Sequence, residues 1–335
     1  MSILEDLFVS PELYPLKVDF QRRSVTFVRM TRSAYESCLF ASFAAARRLG
    51  TEVCEVRLDD VLLAAANTPH TVKRTHYILH SAYCCSTLLA RYFELAPSCF
   101  VLREPPLLAQ LATIEPASRE EWHETLDLSI KLLTRTFGGD DLVVIKTHVP
   151  CNIIGNQLLE QNNQATLTFL MTSMRSFLLG VLKLDTRCQR VRLWNRIVRR
   201  AAARCSSLAD IDPEQLDNAK AAAYWWMTTR FLQSELRSGA ARARVSVMDG
   251  EQLAQSPRET LPPVMNSCGL SLDEDTLQHM LEHPFIQQHS KRPARVYDAS
   301  EHHQEMAELQ DRFGREVNGA IEWAASHTMT DLEGQ

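Results

Sequence analysis

The chain has 335 residues, 45% of them hydrophobic, and a formal net charge of −5 at pH 7. It can bury the core of one large domain or two ordinary ones, and it lacks the overall basicity of a nucleic-acid-binding protein. Nine irregularly spaced cysteines without a CxxC pair indicate a reducing compartment, not a disulfide scaffold or a zinc site. The N-terminus lacks signal-peptide features and no apolar stretch approaches about 20 residues, so we expect a cytoplasmic protein.

The N-terminal part of the chain carries weak structural signals. Residues 17–30 alternate loosely between apolar and polar side chains, which predicts a hairpin, and residues 32–49 show helical spacing. The pattern changes near residue 70. We therefore expect an N-terminal extension over residues 1–70, packed on a main domain over residues 71–335.

The main domain shows an alternation of short apolar runs and helical stretches. The runs that predict strands are 76–80, 99–103, 142–147, 166–171 and 243–248. The helical stretches that follow them are 86–95, 105–113, 120–136, 174–184 and 212–237. This order predicts an α/β fold in three layers, with a central parallel sheet of about five strands and helices on both faces. Ligands of such sheets bind beyond the carboxyl ends of the strands.

The first strand of the main domain leads into an unusual turn, in the stretch YILHSAYCCSTLLA that starts at residue 77. A strand, a tight turn and a helix can present backbone N–H groups to a phosphate. However, the turn contains neither a glycine nor the lysine of the GxxxxGK[ST] motif. Three interpretations stay open: a phosphate cradle with donors at Ser86 and Thr87, a nucleophilic thiol at Cys84 or Cys85, and a helix capped by Ser86.

The ends of the later strands carry ionisable side chains. Glu104 follows the second strand and is a candidate general base, with a structural ion pair as the alternative. The third strand ends with Lys146 and His148, which can neutralise an anionic leaving group and take a proton, respectively. Arg175 follows the fourth strand, in the first turn of a predicted helix.

An arginine-rich segment extends over residues 186–204. Its members are Arg187, Arg190, Arg192, Arg196, Arg199, Arg200 and Arg204. Such a run is typical of a solvated helix face, and an anionic-substrate or partner surface is the alternative.

Three motifs in this order resemble the sulfotransferases, which use 3′-phosphoadenosine 5′-phosphosulfate (PAPS) on a P-loop-like α/β fold. YCCSTLL (83–89) is similar to the family's phosphosulfate turn, Arg-Glu-Pro (103–105) to a motif carrying a catalytic glutamate, and KTHVP (146–150) to the family's KTHxP. The resemblance covers about residues 75–295. It implies a PAPS-dependent transfer of a sulfuryl group to a hydroxyl or amine of a small molecule, without a metal ion.

The resemblance also implies roles for individual residues. His148 or Glu104 would be the base, and Lys146 would offset charge on the bridging oxygen. The basic loop HSKRP (289–293) is similar to the loop that the family places over the 3′-phosphate. The residues implied in PAPS binding are Ser81, Ala82, Tyr83, Cys84, Cys85, Ser86, Thr87, Thr172, Arg175, Lys291 and Arg292.

The chain departs from the family pattern at four positions. Tyr83 replaces a lysine or arginine of the turn, and Cys85 replaces a glycine. The arginine and serine that grip the 3′-phosphate would fall on Thr172 and Gly180, and Arg175 is a candidate substitute for the first.

Three other functions stay open from the sequence: an ATP-dependent kinase on the same fold, a degenerate nucleotide-binding protein and a thiol enzyme. The expected partner is a small-molecule acceptor, with no nucleic acid and no membrane span, and a homodimer is compatible with this expectation.

Overall fold

A computed structural model describes residues 3–38, 42–68, 73–114, 118–289, 292–296 and 299–328. Its N-terminal elements are helix α1 (Ile3–Asp6), strands β1 (Leu13–Asp19) and β2 (Ser24–Arg29), helices α2 (Arg32–Ser37) and α3 (Phe43–Leu49), strand β3 (Val53–Arg57) and helix α4 (Leu58–Asn67).

The elements that follow alternate strands with helices. They are β4 (Arg74–His80), α5 (Ser86–Leu95), β5 (Cys99–Arg103), α6 (Pro106–Thr113), α7 (Arg119–Leu133), β6 (Leu142–Lys146), a 3₁₀ helix (Val149–Ile154), α8 (Gly155–Glu160), β7 (Thr166–Met171), α9 (Met174–Leu182), α10 (Asp185–Ala202), a 3₁₀ turn (Pro213–Gln215), α11 (Asn218–Ser238), a 3₁₀ turn (Arg242–Arg244) and β8 (Val245–Asp249). The C-terminal elements are α12 (Gly250–Gln255), α13 (Pro257–Ser267), α14 (Glu274–Glu282), α15 (Pro284–Gln287), β9 (Gln288–His289), β10 (Arg292–Val296) and α16 (Ala299–Thr328). Within the described ranges, no helix combines the length and apolarity needed to cross a bilayer.

The central sheet has five parallel strands in the order β5-β6-β4-β7-β8. Every strand that the sequence predicted is present, and the α/β prediction with about five parallel strands is confirmed. β4, the first strand of this sheet along the chain, lies in its middle. The turn after β4 and the helix α5 that follows therefore lie at the centre of the edge where the strands end.

The core lies on both faces of the central sheet, because successive side chains of a strand point to opposite faces. Tyr77 and Leu79 of β4 belong to one apolar cluster, whereas Ile78 belongs to another. A third cluster joins α9, α10, α11 and α16 and includes Trp194 and Trp225, whose ring centroids are 5.2 Å apart. This helical layer lies beside the turn that follows β4.

The N-terminal segment contains the expected β1–β2 hairpin, and β3 extends it to a three-stranded antiparallel sheet. Buried Arg135, which follows α7, ties this segment to the rest of the molecule by donating hydrogen bonds to the carbonyl oxygens of Ser10 (2.8 Å) and Leu13 (2.6 Å). Burial lowers the pKa of Arg135 to about 10. The division of the chain into an extension and a main domain stays a prediction.

Candidate functional site

The turn between β4 and α5 adopts a left-handed backbone without any glycine. The φ angles are 72° at Ala82, 53° at Tyr83 and 61° at Cys85. Left-handed conformations cost L-residues about 1–2 kcal/mol each, and they concentrate at functional sites where the surrounding structure enforces them. Consecutive backbone N–H groups in such conformations form concave anion-binding sites.

Buried hydrogen bonds hold this turn in its strained conformation. His80 Nδ1 accepts a bond from Ala82 N at 3.1 Å, and its Nε2 lies 3.0 Å from the carbonyl oxygen of Thr147. Trp225 Nε1 donates to the carbonyl oxygen of Ser81 at 3.0 Å, while Ser81 N donates to Leu170 on β7. The turn is thus fixed by Thr147, just after β6, and by β7 and α11, all of which are distant in sequence.

Helix α5 begins at the turn with two buried hydroxyl groups, on Ser86 and Thr87. Its N-cap is Cys85, whose side chain makes no capping hydrogen bond, so the interpretation of Ser86 as the cap is wrong. Among the described residues, neither the Ser86 nor the Thr87 hydroxyl has a hydrogen-bond partner. The first N–H groups of a helix also lack intrahelical acceptors, so this end offers several donors to an anion.

The two cysteines of the turn are poor nucleophiles. Burial raises the pKa of Cys84, whose sulfur lies 3.3 Å from the carbonyl oxygen of Leu170. Cys85 is exposed, yet desolvation of its thiol raises its pKa to about 12, and Cys84, Glu251 and Asp249 act in the same direction. Since the thiolate is the reactive species, this environment disfavours a thiol enzyme.

Glu104 and Lys146 form an ion pair where β5 and β6 end side by side. Lys146 Nζ contacts Glu104 Oε1, and Glu104 N donates to the carbonyl oxygen of Lys146 at 2.6 Å. The Lys146 side chain is 1% exposed and that of Glu104 is 18% exposed. Glu104 adopts a φ of 57°, another left-handed conformation at this edge. The carboxylate that the sequence proposes as a base is therefore the counter-ion of the lysine.

His148 follows Lys146 and remains neutral at physiological pH. Burial lowers its pKa, and the charges of Lys146 and Arg190 add to this effect, whereas Glu104 opposes it. Its Nδ1 atom is buried and has no hydrogen-bond partner among the described residues. A neutral imidazole with an unpartnered nitrogen, beside an ion pair at the strand edge, can accept a proton from a bound hydroxyl group.

The region that follows β7 contacts a carboxylate on α12 that the sequence did not single out. Glu251 accepts hydrogen bonds from the hydroxyl groups of Thr172 (2.5 Å) and Ser173 (2.9 Å). Burial opposes ionisation of Glu251, but bonds from Thr172, Ser176 and Ser173 outweigh it and lower its pKa. Arg175 donates instead to Gln310 of α16, at 3.1 Å. The hydroxyl of Thr172 and the guanidinium of Arg175 are therefore both engaged with protein groups.

The remaining residues of the predicted site lie in the C-terminal part of the chain. The backbone of Arg292 pairs with His289 in the β9–β10 ribbon. Lys291 lies outside the described residues. Their assignment to the 3′-phosphate stays a prediction.

The helical layer contributes a cation that faces the turn. The guanidinium of Arg187, on α10, lies over the ring of Tyr83 at 4.6 Å from its centroid. The Phe177 ring packs beside the same ring, with centroids 6.0 Å apart. The sequence predicted a solvated face for this arginine-rich helix, yet one end of the helix covers the position where the turn lacks its usual cation.

Comparisons with known proteins found solved structures that are similar to this chain. The chain resembles sulfotransferase STF1 from Mycobacterium tuberculosis H37Rv, with 13% identity, coverage of 76% of this chain and 82% of that one, and a TM-score of 0.45. Sulfotransferase STF9 from Mycobacterium avium has 12% identity and a TM-score of 0.42, with coverage of 85% of this chain and 88% of that one. Retinol dehydratase in complex with androsterone and the inactive cofactor PAP has 12% identity and a TM-score of 0.36, with coverage of 79% of this chain and 84% of that one.

Two of these three structures carry the name of the family that the sequence resembles. With identities below 25% and TM-scores below 0.5, they assign neither an activity nor a ligand to this chain. No protein-family model matches the chain, and no curated protein matches it by sequence.

Proposed function

We propose that the chain is a sulfotransferase which moves a sulfuryl group from PAPS to a hydroxyl or amine of a small-molecule acceptor. One observation carries the proposal: at a single sheet edge, a left-handed turn that opens a helix lies next to Lys146, Glu104 and His148. The sequence resemblance through YCCSTLL and KTHVP supports the same assignment.

The donor would be held mainly by the turn. Backbone N–H groups of residues 82–87 and the hydroxyl groups of Ser86 and Thr87 would bind its 5′ end. When bound, PAPS supplies an activated sulfuryl group on a phosphosulfate anhydride. The close approach of Gly250 to the carbonyl oxygen of Cys84 fits a turn that is braced from behind.

His148 is the better candidate for the base. Glu104 is held as the counter-ion of Lys146, so one of its carboxylate oxygens is already engaged by the ammonium group. Burial keeps His148 neutral, and its Nδ1 has no partner among the described residues. Lys146 would place positive charge near the leaving oxygen, while Glu104 fixes the position of its ammonium group.

A kinase-like phosphotransferase is the second candidate, because two carboxylates lie near the turn. Asp249 and Glu251 both act electrostatically on Cys85. Carboxylates near bound phosphates are typical ligands of Mg²⁺ in phosphotransferases. The missing lysine of the turn disfavours this candidate.

A thermal-shift titration distinguishes the two candidates. At a hundredfold excess over its Kd, a ligand stabilises the folded state by about 2.7 kcal/mol. Since the entropy of unfolding is about 0.7 kcal/mol per K for a chain of 335 residues, adenosine 3′,5′-bisphosphate should raise Tm by about 4 °C. We expect a smaller shift with ATP and Mg²⁺.

Matched variants locate the response in the turn. Thr87→Val removes a buried hydroxyl of the proposed cradle, and we expect about tenfold weaker binding of the bisphosphate. Thr113→Val, at an exposed position at the end of α6, serves as the control and should bind like the wild type. A larger shift with ATP and Mg²⁺ than with the bisphosphate would reverse the choice, and no shift with either ligand would refute both candidates.

A further inference from the structure

The turn that would bind the donor has little uncompensated positive charge of its own. Tyr83 stands where the resemblance implies a lysine or arginine. The charge of Lys146 is compensated by Glu104, and Asp249 and Glu251 lie near Cys85 on the opposite side. A bound phosphosulfate therefore requires a cation from elsewhere in the fold.

Tyr83 is built into a contact with α10. Its ring packs beside Phe177 and lies under the guanidinium of Arg187. Arg187 is itself fixed by donating a hydrogen bond from Nη1 to the carbonyl oxygen of Gly180, at 2.5 Å. Tyr83 thus stands in place of a cation in the turn, and its ring orients α10 by contacting the guanidinium of Arg187.

Arg190 lies one helical turn after Arg187 and therefore on the same face of α10. Its charge acts on the phenol of Tyr83 and on His148. It is solvent-exposed. Arg190 therefore lies within electrostatic range of both the turn and the candidate base.

The other arginines of α10 are engaged elsewhere. Arg196 pairs with Glu214, and Arg199 pairs with Asp212. Arg192 donates to Asn218 and to the backbone of Leu216. Among the described residues, Arg190 forms no ion pair with a carboxylate, so its charge is available to an anion.

We propose that Arg190 supplies the positive charge that the turn lacks and binds the 5′-phosphosulfate end of the donor, with Tyr83 and Arg187 as positioning residues. This inference rests on the proposed function. It resembles the use of an arginine from outside the phosphate-binding loop in phosphoryl-transfer proteins.

The test compares nucleotides that differ in the position of one phosphate. Calorimetry would measure Kd for adenosine 3′,5′-bisphosphate, adenosine 5′-phosphate and adenosine 3′-phosphate. Arg190→Ala should weaken the bisphosphate and the 5′-phosphate about ten- to a hundredfold and leave the 3′-phosphate unchanged. Arg190→Lys should retain most of the affinity. The control Arg196→Ala removes the same charge from the same helix and should change none of the three.

Two further variants test the role of Tyr83. Tyr83→Ala removes the ring that lies under Arg187, so it should weaken only the nucleotides with a 5′-phosphate. Tyr83→Lys returns a cation to the turn, and in the Arg190→Ala background it should restore much of the lost affinity.

Three results would overturn the inference. The first is that Arg190→Ala matches Arg196→Ala for every nucleotide. The second is that it weakens binding of the 3′-phosphate as much as that of the 5′-phosphate, and the third is that Tyr83→Lys does not restore the lost affinity. In each case, tight binding of the bisphosphate by the wild type would leave the proposed function standing. A wild-type protein that binds none of the nucleotides would refute both.

Discussion

Replacing Gly250 by alanine tests the packing that braces the turn. Gly250 is buried at the start of α12, and a Cβ there would lie 2.2 Å from the carbonyl oxygen and 2.7 Å from the carbonyl carbon of Cys84. Both are backbone atoms, so no side-chain rotation relieves the overlap. Either α12 or the turn must move.

The size of the effect follows from this overlap. Overpacking a well-packed interior costs about 1–3 kcal/mol. With an unfolding entropy of about 0.7 kcal/mol per K, Gly250→Ala should lower Tm by about 1.5–4 °C. Displacement of the backbone N–H groups of the turn should also weaken adenosine 3′,5′-bisphosphate by about tenfold or more.

Differential scanning calorimetry and nucleotide titration check both effects against a matched control. Gly319 lies in α16, where an added Cβ meets nothing within 4 Å. Since alanine is the better helix former by about 0.5–1 kcal/mol, Gly319→Ala should match or slightly exceed the wild type in stability. If Gly250→Ala shows the stability of Gly319→Ala and wild-type nucleotide affinity, the proposed bracing of the turn is wrong.

Three other predictions concern ionisable groups. His148→Ala should reduce turnover about 10²–10⁴-fold with little change in bisphosphate affinity, and Glu104→Gln should reduce turnover less. If Glu104→Gln instead shows the larger loss of turnover, the roles of the two residues are exchanged. Because the pKa of His148 is lowered, wild-type activity should persist below pH 6.5. Iodoacetamide at pH 7 should modify Cys84 and Cys85 slowly, since both pKa values are raised, and mass spectrometry that finds fast labelling with loss of activity would favour a thiol enzyme. Burial lowers the pKa of His76 to about 3, so the unfolded chain binds the proton first and the protein loses stability as the pH falls below about 6.5, the ordinary pKa of histidine. Urea unfolding should show that the free energy of unfolding decreases by roughly 2 kcal/mol between pH 7 and pH 5. A His76→Gln variant with the same pH dependence of stability as the wild type would contradict this origin.

The sheet was predictable from the sequence because its strands are buried on both faces. Their apolar runs stand out from the amphipathic helices around them, and parallel strands bring their carboxyl ends to one edge. This reasoning located Glu104, Lys146 and His148 at strand ends. The third N-terminal strand, Val53–Arg57, was missed because its side chains are largely exposed and carry little apolar signal.

The conformation of the turn was not predictable from local sequence. Ala82, Tyr83 and Cys85 have little intrinsic preference for a positive φ, so the absence of glycine pointed away from a tight nest. Bonds from His80 and Trp225 impose this conformation, and Trp225 is 144 residues from its partner, Ser81.

Contacts between side chains that are distant in sequence were not predictable for the same reason. Glu104 and Lys146 were each identified, but a separation of 42 residues gave no indication of their ion pair. Periodicity likewise gave no reason to place Arg187 over Tyr83 or Glu251 against Thr172. The available signal for Glu251 was its position shortly after the predicted strand 243–248.

Isothermal titration calorimetry with adenosine 3′,5′-bisphosphate tests the central claim most directly, because it requires no knowledge of the acceptor. We predict saturable binding with one nucleotide per chain, and at least tenfold weaker binding of ATP with Mg²⁺. No heat of binding with the bisphosphate at millimolar concentration, or tighter binding of ATP with Mg²⁺, would contradict the assignment of this turn to PAPS.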